Sequence, residues 1–200
     1  MRAEPEGSVR FIMHANSVVL LFLTDELYIY LFPCFIDCAL VYKKRIIKQG
    51  VEMQMKTMIL YFSSHHGNTK KLAEAIAAAD ETVEICEVSD AAGLDLEAYD
   101  RVGIASGIYA GNFGKPIMKF AEENIPKGKE VFFLYTSAMK LNSHTSSVRK
   151  LAEQCGWKVL GEYGCRGYNT FGPFKLVGGT SKGHPTKEEL DGAVAFYQGL

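Results

Sequence analysis

The chain has 200 residues, 48% of them hydrophobic, which suits one ordinary soluble domain with some chain to spare. Its 22 basic and 23 acidic side chains leave a formal charge of −1, with no basic block beyond Lys43-Lys44-Arg45, so a nucleic-acid partner is not expected. Five cysteines (Cys34, Cys38, Cys86, Cys155 and Cys165) form no regular framework and no zinc spacing, which fits a reducing cytoplasm and predicts no metal site.

Residues 1–54 read as an N-terminal extension and residues 55–200 as a domain. Residues 11–42 are rich in Phe, Leu, Ile, Val and Tyr, as a membrane span would be, with Lys43-Lys44-Arg45 then on the cytoplasmic side. Asp25, Glu26 and Asp37 interrupt that run, and the uncharged stretches between them are too short to cross a bilayer. A secretory signal does not fit, because the basic residues follow the apolar part. An ordered amphipathic appendage is a second reading. The third is a start-site artefact: Gln49-Gly50-Val51 is encodable as a purine-rich ribosome-binding sequence, which predicts a native chain beginning at Met53 or Met55.

Taken in order from residue 57, short apolar runs alternate with helical patterns, as in βαβ units on a parallel sheet. The strands are predicted at 57–62, 82–87, 101–106, 130–136 and 158–164. The helices are predicted at 69–79, 115–124, 144–156 and 186–198, with a short one over 89–99. Leu72, Ala75, Ile76 and Ala79 form the apolar stripe of the first helix. Thr186 ahead of Glu188 and Glu189 reads as the cap and acidic first turn of the last. Five strands and about five helices make an α/β domain, one doubly wound parallel sheet.

Ligands bind such sheets at the carboxyl ends of the strands, which directs attention to the loops after strands one, three and four. The first is Ser63-Ser64-His65-His66-Gly67-Asn68-Thr69, which opens a helix. Helix N-termini present unpaired N–H groups and a partial positive charge, so a phosphate is favoured there. The serines and threonine add hydroxyls, Asn68 an amide, and Gly67 close backbone approach. Neither GxxxxGK[ST] nor GxGxxG is present, which leaves a single phosphomonoester as the fitting anion. The second loop, 107–115, holds three glycines and Tyr109 and suits a flat ligand. The third begins with Thr136, Ser137 and Ala138. His144 and His184 read as structural, Cys165 as a small buried hydrophobe, and Trp157 as packing. Tyr168 and Phe171 would wall one side of a pocket or close a surface loop on itself.

Ser64-His65-His66-Gly67-Asn68-Thr69 resembles the flavodoxin phosphate loop, [ST]-x-T-G-x-[ST], with His66 where the family has Thr. The resemblance covers residues 56 to about 199, and the later stretches SGIYAGNFGKPIMKF and GPFKLVGGTSKGHP look like short bacterial flavodoxin-like proteins. It implies five strands in the order 2-1-3-4-5 with helices on both faces, and FMN as cofactor. By resemblance the cofactor is held by Ser63, Ser64, His65, His66, Gly67, Asn68 and Thr69 at its phosphate. Gly107, Ile108, Tyr109, Ala110, Gly111 and Asn112 would lie beside the N5 edge of the ring, and Thr136, Ser137 and Ala138 at its pyrimidine side. Gly107 or Gly111 would be the peptide free to flip as N5 changes from acceptor to donor. Tyr109 is the expected stacking residue, with offset aromatic pairs contributing about 0.5–1.5 kcal/mol beyond burial. Two imidazoles beside a dianion would strengthen binding as pH falls from about 8 to 6.

The function implied is electron transfer by an FMN flavoprotein, either a carrier docking on a redox partner protein or a small oxidoreductase taking electrons from a nicotinamide or passing them to a small-molecule acceptor. From Met55 onward 16 basic and 17 acidic residues give a weak field, unlike the acidic surfaces that steer carrier docking. The alternative is a regulatory or interaction module of the same fold that binds no flavin. Cytoplasmic location and no membrane partner are expected of the domain.

Overall fold

In the computed structural model, described for residues 10–14, 18–23, 26–31, 55–64, 66–138, 142–170 and 178–200, the chain divides into units at 1–53 and 54–200. In the first unit, β1 (Arg10–His14), β2 (Val18–Leu23) and β3 (Glu26–Leu31) form an antiparallel sheet in that order. Leu20 on β2 pairs with Ile12 on one side and Ile29 on the other. The described part of the apolar run is therefore strand. No helix among the described residues is long and apolar enough to cross a membrane. Cys34, Cys38, the basic triplet at 43–45, Gln49-Gly50-Val51 and Met53 lie outside the described residues.

The second unit is built from five strands, the central three with successive residues buried, as a sheet covered on two faces requires. They are β4 (Thr57–Phe62), β5 (Val83–Glu87), β6 (Arg101–Tyr109), β8 (Glu130–Ser137) and β9 (Lys158–Arg166). All five run parallel in the order β5-β4-β6-β8-β9, which is 2-1-3-4-5 within this unit. A sixth strand, β7 (Asn112–Phe113), folds back antiparallel on β6. Helices α1 (Asn68–Ala79) and α4 (Lys187–Gln198) cover one face; α2 (Lys115–Asn124) and α3 (Ser146–Cys155) cover the other.

The pleat sorts the core. On β8, Val131, Phe133 and Tyr135 face α2 and α3, while Phe132 and Leu134 face α1 and α4. Each fully buried side chain of this size contributes about 1.5–3 kcal/mol by burial. The aromatic layer needs room on the neighbouring strand. A Cβ at Gly164 would lie 2.1 Å from the Tyr135 ring, so only glycine admits that ring there.

The first, second and fourth predicted helices lie within a residue of their observed ends; the third begins two residues later, because a 3-10 turn occupies Asn142–Thr145. Thr186 caps α4 reciprocally with Glu189. Burial alone would raise the Glu189 carboxyl, but the Thr186 N–H, His184 and the Arg166 N–H hold it below its ordinary value. The short helix expected over 89–99 is corrected. Gly93 stands at φ 82 and the Asp95 side chain caps a 3-10 turn of three residues, Leu96–Ala98, so no α-helix forms.

Candidate functional site

Parallel pairing brings the informative loops to one end of the sheet. Phe62 on β4 is beside Ser106 on β6, Gly107 is beside Thr136 on β8, and Ser137 is beside Arg166 on β9. The turn after β4, the segment after Gly107 and the end of β8 are thus neighbours. His65, Met139, Lys140, Leu141 and Phe171 lie outside the described residues.

The turn is left-handed at two consecutive residues, His66 (φ 56) and Gly67 (φ 64), and delivers the chain into α1 with no side-chain cap on its first N–H groups. Histidine is among the few non-glycine residues enriched in this region. Uncapped N–H groups at a helix start favour an anion. At the turn's entrance the Ser64 N–H donates to the Tyr109 hydroxyl at 3.0 Å, and Ser64 Oγ donates to the same oxygen at 2.8 Å. Ser63 is half-buried at the end of β4.

Further along, Asn68 Nδ2 donates to the Tyr168 carbonyl at 2.8 Å, while its buried Oδ1 has no partner among the described residues. The hydroxyls of Thr69 and Thr136 share a buried hydrogen bond of 2.8 Å. His66 Nε2 shares one of 2.9 Å with Thr170 Oγ1, and its ring lies 4.4 Å from that of Tyr168. His66 therefore faces the segment after β9.

The loop expected at 107–115 is instead a tight hairpin. Ile108 pairs with Phe113 and Tyr109 with Asn112, leaving Ala110 (φ 48) and Gly111 (φ 84) as a two-residue left-handed turn, a pattern that matches the twist of the flanking strands. Ser106 fixes its base, donating to the Gly107 carbonyl at 2.7 Å and accepting from the Gly114 N–H at 2.9 Å. Tyr109 does not lie open as a flat wall. Its ring is 5.5 Å from Phe62, and a Cβ at Gly107 would sit 3.0 Å from its hydroxyl. Thr136 and Ser137 are buried, Ala138 is half-buried, and the Ser137 carbonyl accepts from the Gly167 N–H at 3.0 Å.

Of the side residues, His144 lies in the 3-10 turn before α3, edge-on to Tyr135 at 6.0 Å. Burial pushes its imidazole below its ordinary value, and Nδ1 is buried with no partner among the described residues. Cys165 is buried beneath β9's end. Among the described residues no group of three or more His, Cys, Asp or Glu could hold a metal ion. Ser106 and Thr170 were not among the expected site residues. Thr170 lies 104 residues from its partner His66, and no local spacing reports such a contact.

A family model described as Flavodoxin domain matches residues 58–167. The chain belongs to the flavodoxin family. This flavodoxin domain is 37% identical over 150 residues to an uncharacterized protein of Methanocaldococcus jannaschii, a match spanning 73% of this chain and 98% of that protein. Among solved structures, the flavodoxin fold here is similar to a flavodoxin from the domain Archaea, at a TM-score of 0.53 and 18% identity over 70% of this chain and 92% of that one. A two-electron reduced flavodoxin of Megasphaera elsdenii matches at a TM-score of 0.50 and 19% identity, over 70% of this chain and 98% of that one. At those identities the likeness is one of fold.

Proposed function

We propose that the domain binds FMN at the turn after β4 and transfers electrons. One observation carries this reading: both the N–H and the hydroxyl of Ser64 converge on a single oxygen, that of Tyr109, at the mouth of an uncapped helix. A phosphate oxygen meets the same donors when it takes the phenol's place. Asn68 adds a second support, since its buried Oδ1 lacks a donor among the described residues and the polyol beside a flavin's phosphate supplies hydroxyls. The residues fit the group.

FMN supplies the redox chemistry when bound. The chain's own residues orient and shield it. Ser64, Gly67, Asn68 and Thr69 hold the phosphate, the hairpin at Gly107–Asn112 and the end of β8 at Thr136–Ala138 flank the ring, and Tyr109 becomes available to the ring once its hydroxyl leaves Ser64. His66 is directed away from the anion and belongs to the support of the turn. The redox partner is a protein or a small-molecule acceptor, and the near balance of 16 basic and 17 acidic residues from Met55 onward favours the small molecule.

Titration of FMN with the protein tests the reading, with quenching of flavin fluorescence expected. NADH or NADPH added without air then separates the classes. Bleaching by a nicotinamide indicates an oxidoreductase, and bleaching only by dithionite indicates a carrier.

A further inference from the structure

We propose that His66 is a positioning residue, a strut that ties the anion-binding turn to residues 168–170 after β9, so that these residues form part of the cofactor site. The inference rests on the FMN reading and assigns a role to the position at which this chain departs from the family's loop pattern.

Three consecutive contacts join the two segments. His66 Nε2 reaches Thr170 Oγ1 at 2.9 Å, the His66 and Tyr168 rings lie 4.4 Å apart at 39°, and Asn68 Nδ2 donates to the Tyr168 carbonyl at 2.8 Å. The approach is close throughout, since a Cβ at Gly167 would come within 2.9 Å of Asn68 Nδ2. Threonine at position 66 is too short to leave the turn and make the first contact; an imidazole is long enough. The segment against which it leans is itself folded. The Tyr168 N–H donates to the His184 carbonyl at 3.3 Å, Asn169 and Thr180 exchange backbone hydrogen bonds of 3.0 and 2.8 Å, and the Tyr168 hydroxyl donates to the Gly178 carbonyl at 3.0 Å.

His66 stands at φ 56, a conformation that is strained for a non-glycine residue and persists where surrounding contacts hold it. The strut supplies that hold, keeping the following N–H groups turned toward the anion. Linkage then works in both directions: an anion in the turn steadies residues 168–170, and a steady segment tightens the anion, by the same factor.

FMN and riboflavin affinities of wild type, His66→Ala, His66→Gln, Thr170→Val and the Ala/Val double variant, measured by fluorescence quenching, test this. His66→Ala and Thr170→Val each weaken FMN by roughly three- to tenfold, the range set by one lost hydrogen bond. Riboflavin, which lacks the phosphate, changes by less than about twofold on the same scale. His66→Gln restores most of the loss, and the double variant is no worse than either single. Hydrogen exchange supplies an independent readout: FMN slows the Tyr168, Asn169 and Thr180 amides in wild type but not in His66→Ala. A neutral Thr170→Val beside a weak His66→Ala makes His66 a direct ligand and overturns the proposal, as does equal loss of FMN and riboflavin. Wild-type quenching by FMN with neutral variants sinks the strut alone. Failure of wild type to bind both FMN and inorganic phosphate sinks the site and the strut together.

Discussion

The Tyr109 hydroxyl is seated on the N–H and Oγ of Ser64, at 3.0 and 2.8 Å, across 45 residues of chain. A phosphate that uses those donors must displace the phenol. Tyr109→Phe removes the competing oxygen and keeps the ring, so it tightens inorganic phosphate and FMN by a common factor of roughly fivefold, one typical hydrogen bond. Isothermal titration of both ligands checks this. A gain for FMN without a gain for phosphate would trace the effect to the ring and contradict the competition.

Thr69 and Thr136 share a hydrogen bond out of reach of water. Thr69→Val leaves the Thr136 hydroxyl buried and unpaired, which costs about 1–3 kcal/mol. Adding Thr136→Val removes the orphan, so the double variant recovers part of that loss in urea unfolding. A double variant as unstable as the sum of the singles would show that the two hydroxyls do not depend on each other.

Gly164 leaves its space to the ring of Tyr135, which is 3% exposed. Gly164→Ala pushes a methyl group into that ring and costs about 1–3 kcal/mol by overpacking. Tyr135→Leu in the same chain relieves the clash and restores part of the stability. An unshifted urea midpoint for Gly164→Ala would mean that the ring yields freely.

His144 introduces a pH dependence. Burial holds its folded pKa below the ordinary 6.5, so the unfolded chain takes up the proton first. Stability is full above that value and falls as pH drops below it. His144→Leu therefore narrows the difference in stability between about pH 8 and pH 5. The comparison is one of urea unfolding at the two pH values, and an unchanged difference would clear His144 of the effect.

The periodicities that made the parallel sheet readable are those of residues buried on both faces, such as Ile59 and Leu60 or Phe132 and Phe133, and of the α1 stripe through Leu72 and Ile76, whereas the strand order was an implication of the family resemblance. The turn at Ser63–Thr69 was legible because helix-start chemistry is local. The hairpin was not, because β7 spans only Asn112–Phe113 and its turn places Ala110, not a second glycine, at positive φ. The direction of His66 was not legible either, since it depends on Tyr168 and Thr170, brought close only when β9 takes its place beside β8. Tyr109 was identified by residue type, but its hydroxyl contact with Ser64 exists only after β6 and β4 pair.

The central claim is that the turn opening α1 grips the phosphate of a flavin. The most direct measurement is a fluorescence titration of FMN with protein freed of any bound flavin, beside the same titration with riboflavin. The account predicts saturable quenching of FMN that weakens when inorganic phosphate is added as a competitor, and far weaker quenching of riboflavin. Undiminished FMN emission at saturating protein, or equal affinity for the two flavins, would contradict it.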